Sequence, residues 1–253
     1  EYVHLTRGRM DERIDMSRAV RDRKFRYIRN YMPFRIPLQH LSFLFIANSA
    51  QAWEEAFEAG ACNDIQSVPF RPRPVEELYD TENDPWEVHN LAGDPAYRGV
   101  LERMRLENQS WMRDIRDVGL IPETEYRHLA GPGSMYDYMH SDECPIDILL
   151  EAAQSATKPG KGEVSAYLEY LESDHPAIRY WGVTGLLIHL EQAVPFIPAL
   201  EKASLDRSSS VAVLAAEALF RLGKEEMASA AYLRILSSAD YGMLDRNFAL
   251  NSM

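Results

Sequence analysis

The residues best suited to hold an anion lie in one short run near the start of the chain, Arg7-Gly8-Arg9-Met10-Asp11-Glu12-Arg13. Planar guanidinium groups match the oxygens of a sulfate or carboxylate through paired, charge-assisted hydrogen bonds. Arg7, Arg9 and Arg13 are therefore candidate ligand contacts. Asp11 and Glu12 in the same run offer only acceptors and suit ligand hydroxyls. The alternative is a solvated loop whose charges pair with one another. His40 is a further candidate, set in a connector with Phe34, Phe43 and Phe45, although a lone histidine there also suits packing or a backbone hydrogen bond. None of the seven histidines has metal-ligand spacing, and Cys62 and Cys144 stand far apart in no C-x-x-C or His-paired pattern. Neither a zinc site nor a disulfide framework is indicated.

The elements that position these residues differ along the chain. Residues 1–35 carry ten Lys or Arg against five Asp or Glu, whereas residues 131–253 carry nine against seventeen. A net charge of −12 argues against a nucleic-acid binder, which needs a basic face. No stretch approaches the roughly 18 apolar residues of a membrane span. The chain opens at Glu1 without an initiator Met and closes inside an apolar pattern, so both ends are expected to be cut points of a longer polypeptide.

From Arg13 to Tyr31 the apolar residues Met16, Val20, Phe25, Tyr27 and Tyr31 fall largely at period two, the pattern of half-buried strands. The polar Arg21-Asp22-Arg23-Lys24 between them predicts an antiparallel hairpin. Gln51–Ala59 has helix formers and predicts a short helix ending at Gly60. Three prolines in residues 68–74 exclude a central strand and predict an extended connector. A short strand is expected at Glu77–Asp80, then a turn at Thr81–Pro85. Residues 96–118 repeat their apolar positions at mostly helical spacing behind Asp94 and Pro95, which suit an N-cap and first turn. Trp53, Trp86 and Trp111 read as packing residues, with stacking on a sugar ring as the alternative.

Ala130-Gly131-Pro132-Gly133-Ser134 marks a linker, placed at 131–143, and beyond it the texture becomes helical. Gly182-Val183-Thr184-Gly185-Leu186, Ala215-Ala216-Glu217-Ala218-Leu219 and Ala249-Leu250-Asn251-Ser252-Met253 recur at offsets of 33 and 34 residues. Fixed self-similarity of this length predicts stacked helix pairs, with first helices at 162–172, 193–203 and 225–236. The expected fold is α+β: a small antiparallel sheet with a long packing helix over residues 1–130, then an all-α tail over 144–253 that resembles HEAT or armadillo-type repeats. Solenoids of this kind present surfaces to protein partners, and an acidic one would prefer a basic partner.

Three phrases in the first half resemble the C-terminal subdomain of the sulfatase family, in particular its heparan N-sulfatase-like (sulfoglucosamine sulfohydrolase) branch. They are Arg18-Ala19-Val20-Arg21-Asp22-Arg23-Lys24-Phe25-Arg26-Tyr27-Ile28-Arg29-Asn30, Glu76-Glu77-Leu78-Tyr79-Asp80, and Asn83-Asp84-Pro85-Trp86-Glu87-Val88-His89-Asn90-Leu91-Ala92. Their order and spacing carry the resemblance, which covers about residues 1–125. It implies a four-stranded antiparallel sheet packed by the long helix, beside a large alkaline-phosphatase-like domain. It also implies a hydrolase of sulfated carbohydrates, with a periplasmic or secreted setting.

The resemblance further implies a formylglycine nucleophile, made from Cys or Ser in a C/S-x-P-x-R motif, and calcium held by aspartates and an asparagine. Cys62-Asn63-Asp64-Ile65-Gln66 lacks the proline, and Cys144-Pro145-Ile146-Asp147-Ile148 has it one place early and lacks the arginine. The fragment is therefore expected to carry no cofactor and to be inactive alone. In resembling enzymes the segment before the Arg18-Ala19-Val20 strand borders the substrate pocket. That points again to Arg7, Arg9, Asp11, Glu12 and Arg13, with His40 beside them, as contacts for a sulfated sugar.

Overall fold

The computed structural model describes residues 1–158 and 162–252. By compactness the chain divides into two units, 1–111 and 112–253.

In the first unit, β1 (Val3–Arg7), β2 (Ser17–Arg21), β3 (Phe25–Asn30) and β4 (Glu76–Asp80) form one antiparallel sheet in chain order. The β2–β3 hairpin closes where the sequence placed it. Asp22 accepts from the backbone N–H groups of Lys24 and Phe25 at 2.9 and 2.7 Å, which fixes the turn. Val20 pairs with Tyr27, and Tyr27 with Leu78, so these three side chains share one face. Against them pack Leu101 and Met104 of the long helix. Burial of this apolar layer, at roughly 25 cal/mol per Å², is what holds helix to sheet.

Between β3 and β4 runs a connector that holds α1 (Asn48–Glu58), which Gly60 terminates at φ +69°. Glycine enters that left-handed region without the steric penalty other residues incur. The extended path expected through 68–74 gives way at Val68–Phe70 to a 3-10 turn. Pro69 suits the opening of such a turn, because its missing N–H would have no intrahelical partner there. After β4, a 3-10 turn at Pro95–Tyr97 leads into α2 (Arg98–Asp114), and the Asp94 carboxylate accepts from the N–H of Ala96 at 2.9 Å.

The tryptophans divide. Trp111 stacks on His4 with ring centroids 4.6 Å apart, and Trp53 packs edge-on against Phe70 while 39% exposed. Trp86 is 86% exposed, so the packing role expected for it is wrong. Its neighbours in the turn are mostly polar and Val88 is itself exposed, so the ring stays in solvent.

The second unit contains α3 (Ile146–Ala156), α4 (Val164–Leu171), α5 (Pro176–Ile188), α6 (Ile197–Ala203), α7 (Ser209–Arg221), α8 (Glu225–Ser237) and α9 (Met243–Leu250). Each of α4, α6 and α8 packs on the helix that follows it, and α7 packs on both α5 and α9. Helices α5, α7 and α9 start 33 and 34 residues apart, matching the sequence offsets. The helix expected over 193–203 is broken, with a 3-10 turn at Val194–Phe196 before α6, because Pro195 and Pro198 interrupt its hydrogen-bond ladder. The segment placed as a linker contains a short helix, Met135–Met139, capped by Ser134.

Close packing needs the small residues of α5. A Cβ on Gly182 would lie 2.8 Å from the carbonyl oxygen of Tyr167, and one on Gly185 would lie 2.8 Å from its ring. Trp181, Leu186, Ala215 and Leu219 are fully buried. Arg179 ties successive pairs together: it forms a two-pronged ion pair with Asp206 at 2.7 and 2.8 Å and donates to the carbonyls of Ser173 and Asp174. Among the described residues no single helix is long and apolar enough to cross a membrane.

Candidate functional site

The basic run forms the loop between β1 and β2. Met10 and Arg13 exchange both backbone hydrogen bonds at 2.9 Å, and Asp11 sits at φ +47° to close this small turn. Aspartate tolerates that region better than most non-glycine residues because its short side chain bonds locally. Gln39 clamps the loop to the connector, donating to the carbonyl of Ile14 at 3.0 Å and accepting from its N–H at 3.1 Å.

Arg7 is built into this frame. Its Nε lies 2.6 Å from one carboxylate oxygen of Asp15, and a terminal nitrogen donates to the carbonyl of Pro37 at 3.1 Å. Arg73 takes the other Asp15 oxygen at 2.5 Å. The Asp15 side chain is wholly buried between the two guanidinium groups. Burial pulls Arg7 below the ordinary arginine range. Asp15 opposes that pull, while Arg13 and Arg73 add to it as like charges. Two guanidinium groups thus share one carboxylate, with Arg13 close enough to act on Arg7 as a like charge, which leaves local positive potential that an incoming anion would relieve.

The other predicted residues sit on the same loop and its neighbour. Arg9 is exposed and donates to the backbone carbonyl of Asp11 at 2.9 Å, and a terminal nitrogen of Arg13 lies 3.8 Å from the sulfur of Met10. Glu12 accepts from the Ser42 hydroxyl at 2.5 Å. That hydrogen bond, with the nearby charge of His40 a minor contribution, holds its carboxyl below the usual range. His40 is exposed, its ring stacked on Phe45 at 4.5 Å. Arg7, Arg9, Asp11, Glu12, Arg13 and His40 therefore share one end of the unit, with Arg7 the structural member and Arg9, Asp11 and His40 the exposed ones.

Asp15, Gln39, Ser42 and Arg73 complete this frame and were not singled out in the sequence. Asp15 carried the one available signal, a carboxylate inside an apolar strand pattern, which needs a cation when buried.

A second charged cluster lies where the sheet meets α2. Glu76 accepts from Arg105 at 2.6 and 2.8 Å and from the Tyr27 hydroxyl at 2.7 Å, with Arg29 3.4 Å away. Burial alone would push the Glu76 carboxyl up, but these donors outweigh it and hold the group below the usual range. The same burial pushes the Tyr27 hydroxyl far up and keeps it a donor. Both oxygens of the one carboxylate are taken by the donors around it, so the cluster helps fasten the helix to the sheet and leaves Glu76 no free oxygen for a substrate. Among the described residues no group of three or more His, Cys, Asp or Glu could hold a metal ion. Cys144 is buried against Met139, and burial pushes its thiol up, away from the reactive thiolate.

No protein-family profile matches the chain. Curated sulfatases match part of it. An ulvan-active sulfatase of Formosa agariphila is 34% identical over 145 residues, 56% of this chain and 24% of that protein. A second ulvan-active sulfatase of the same organism is 31% identical over 121 residues, covering 46% and 21%. Human N-sulphoglucosamine sulphohydrolase is 30% identical over 104 residues, covering 40% and 20%. The chain spans no more than about a quarter of the length of these relatives.

Proposed function

We propose that this chain is the C-terminal part of a sulfatase acting on a sulfated carbohydrate, with residues 1–130 as its sheet-and-helix subdomain. The observation that carries this reading is the 34% identity to an ulvan-active sulfatase over more than half the chain. The ordered phrases that form β2, β3, β4 and the turn after β4 point the same way. In such an enzyme the formylglycine nucleophile and calcium ligands would come from polypeptide beyond these 253 residues. Its two contributions here would be the buried ion-pair frame and the exposed face of the β1–β2 loop, where Arg9 and Arg13 would meet sulfate or carboxylate oxygens and Asp11 and Glu12 the hydroxyls.

Residues 144–253, after a linker at 131–143, are read as HEAT-like repeats that bind a protein partner. The equal spacing of α5, α7 and α9 favours that reading. The two roles are compatible in one polypeptide.

Sulfate release tests the enzymatic reading. The complete polypeptide should liberate sulfate from sulfated oligosaccharides in a calcium-dependent manner, and these 253 residues alone should release none. Turnover by the purified fragment, surviving controls for contaminating enzymes, would overturn the division of labour.

A further inference from the structure

Among the described residues Trp86 is the most exposed large apolar side chain, yet the turn that presents it is tightly built. Asp80 accepts from the N–H groups of Glu82 and Asn83, and the Asp84 carboxylate accepts from the N–H of His89 at 2.8 Å. Glu87 is held at φ +53°, a strained position for a non-glycine residue, by its ion pair with Arg26 at 2.7 Å. A single exposed aromatic ring is ordinary by itself, but one held in a built turn is already ordered for a ligand that would stack on it.

The same turn is docked on the β2–β3 hairpin. Thr81 donates its N–H to the carbonyl of Lys24 at 2.8 Å, and Arg21 donates to the Thr81 hydroxyl at 3.2 Å. Arg21 and Arg23 are exposed, and no carboxylate pairs with either among the described residues. We propose that Trp86, with Arg21 and Arg23, forms a second contact surface for a sulfated polysaccharide, at the end of the sheet opposite the β1–β2 loop. The proposal rests on the sulfated-carbohydrate reading for its ligand class. The ring would stack on the apolar face of a sugar, and the guanidinium groups would meet its sulfates.

The surroundings favour a sugar over a protein. Apart from Pro85 and Val88, the exposed residues near the tryptophan in the chain, Glu82, Asn83, His89 and Asn90, are polar, whereas a stable protein contact needs a broad, mostly apolar core. The strands between the two ends are five or six residues long, about 17 Å, so a polysaccharide reaching both must be an oligomer of several rings. Trp86 then contributes to retention of the polymer and not to the chemical step.

Heparin and chemically desulfated heparin serve as probes, titrated against the 253-residue chain by affinity electrophoresis and tryptophan fluorescence. The parent should bind heparin well above its desulfated form, with a blue-shifted, partly quenched emission. Trp86→Ala, at an exposed position, should weaken binding about tenfold, and Trp86→Phe less. A double Arg21→Ala, Arg23→Ala variant should bind more weakly and with less salt dependence. Equal affinity of Trp86→Ala and parent, no heparin binding by the parent, or equal binding of both polysaccharides would overturn the proposal. Trp86-dependent self-association without polysaccharide would overturn it too, by assigning the ring to a protein contact. Sulfate release by the complete polypeptide is scored separately. Release without Trp86-dependent binding removes this surface and leaves the enzyme, and the converse removes the enzyme and leaves the surface.

Discussion

In residues 1–111 the buried polar groups are mostly ionic and paired, as in the Asp15 carboxylate held by Arg7 and Arg73 and the Glu76 carboxylate held by Arg29 and Arg105. In residues 112–253 the two central helices, α5 and α7, are buried along nearly their whole length, and α7 is rich in alanine. The first unit gains specificity from directional hydrogen bonds, which fail when one partner is lost. The second gains it from close approach, which fails when volume is added. The two should break under opposite kinds of substitution.

The largest effect is expected where a charge is forced into the alanine contact. Ala215→Arg should cost more than about 4 kcal/mol and abolish cooperative melting of the helical unit, because no partner awaits the guanidinium. Circular dichroism during thermal melting reads this directly. In the sheet unit, Glu76→Ala removes the carboxylate that Arg29, Arg105 and Tyr27 share. A loss of about 3–5 kcal/mol is expected in denaturant titration. A change under about 1 kcal/mol would mean the cluster is solvated and the contrast between the units is misplaced.

How legible each half was follows from the same contrast. The helix pairs were readable because a repeat that stacks on itself must restate its small residues at a fixed offset, as Gly182, Ala215 and Ala249 do. The hairpin was readable from the alternation of Val20, Phe25 and Tyr27 around a polar turn. The ion-pair frame was not, because Asp15, Gln39 and Arg73 are brought together only by tertiary folding. Trp86 reads as a packing residue in the sequence, with sugar stacking as the alternative, and only the fold shows that the turn after β4 leaves its ring in solvent.

A smaller effect is expected at the glycines of α5. Gly182→Ala gains up to about 1 kcal/mol in helix propensity but drives a Cβ to 2.8 Å from a backbone oxygen. Overpacking of this kind costs about 1–3 kcal/mol, so the sum should be destabilising by about 1 kcal/mol. A stabilised Gly182→Ala protein would show that α4 and α5 can separate freely.

The smallest effect is a pH dependence. His175 caps α5, its Nδ1 accepting from the N–H of Ala177 at 3.2 Å. The neutral ring then carries its proton on Nε2 and donates it to the Tyr138 hydroxyl, 2.8 Å away. Burial, with Arg179 adding repulsion, lowers its pKa to about 4. The folded state therefore binds fewer protons than the unfolded one between pH 6.5 and 4. Stability from this residue is complete above pH 6.5, declines as pH falls through that window and is gone below about 4. The loss should be about 1 kcal/mol once solvent screening is allowed for. His175→Asn, which keeps a capping acceptor, should flatten this part of the melting profile. An unchanged slope would place the titration elsewhere.

The sulfatase reading meets its most direct test in kcat/KM for sulfate release from a sulfated disaccharide by the complete polypeptide. Arg9→Ala and Arg13→Ala are the test variants, and Arg98→Ala, 80% exposed on α2, is the control. Loss of about tenfold or more is expected at the loop positions, with the control within about twofold of the parent. No sulfate release by the parent, or losses under about twofold at both loop positions, would contradict a pocket bordered by this loop.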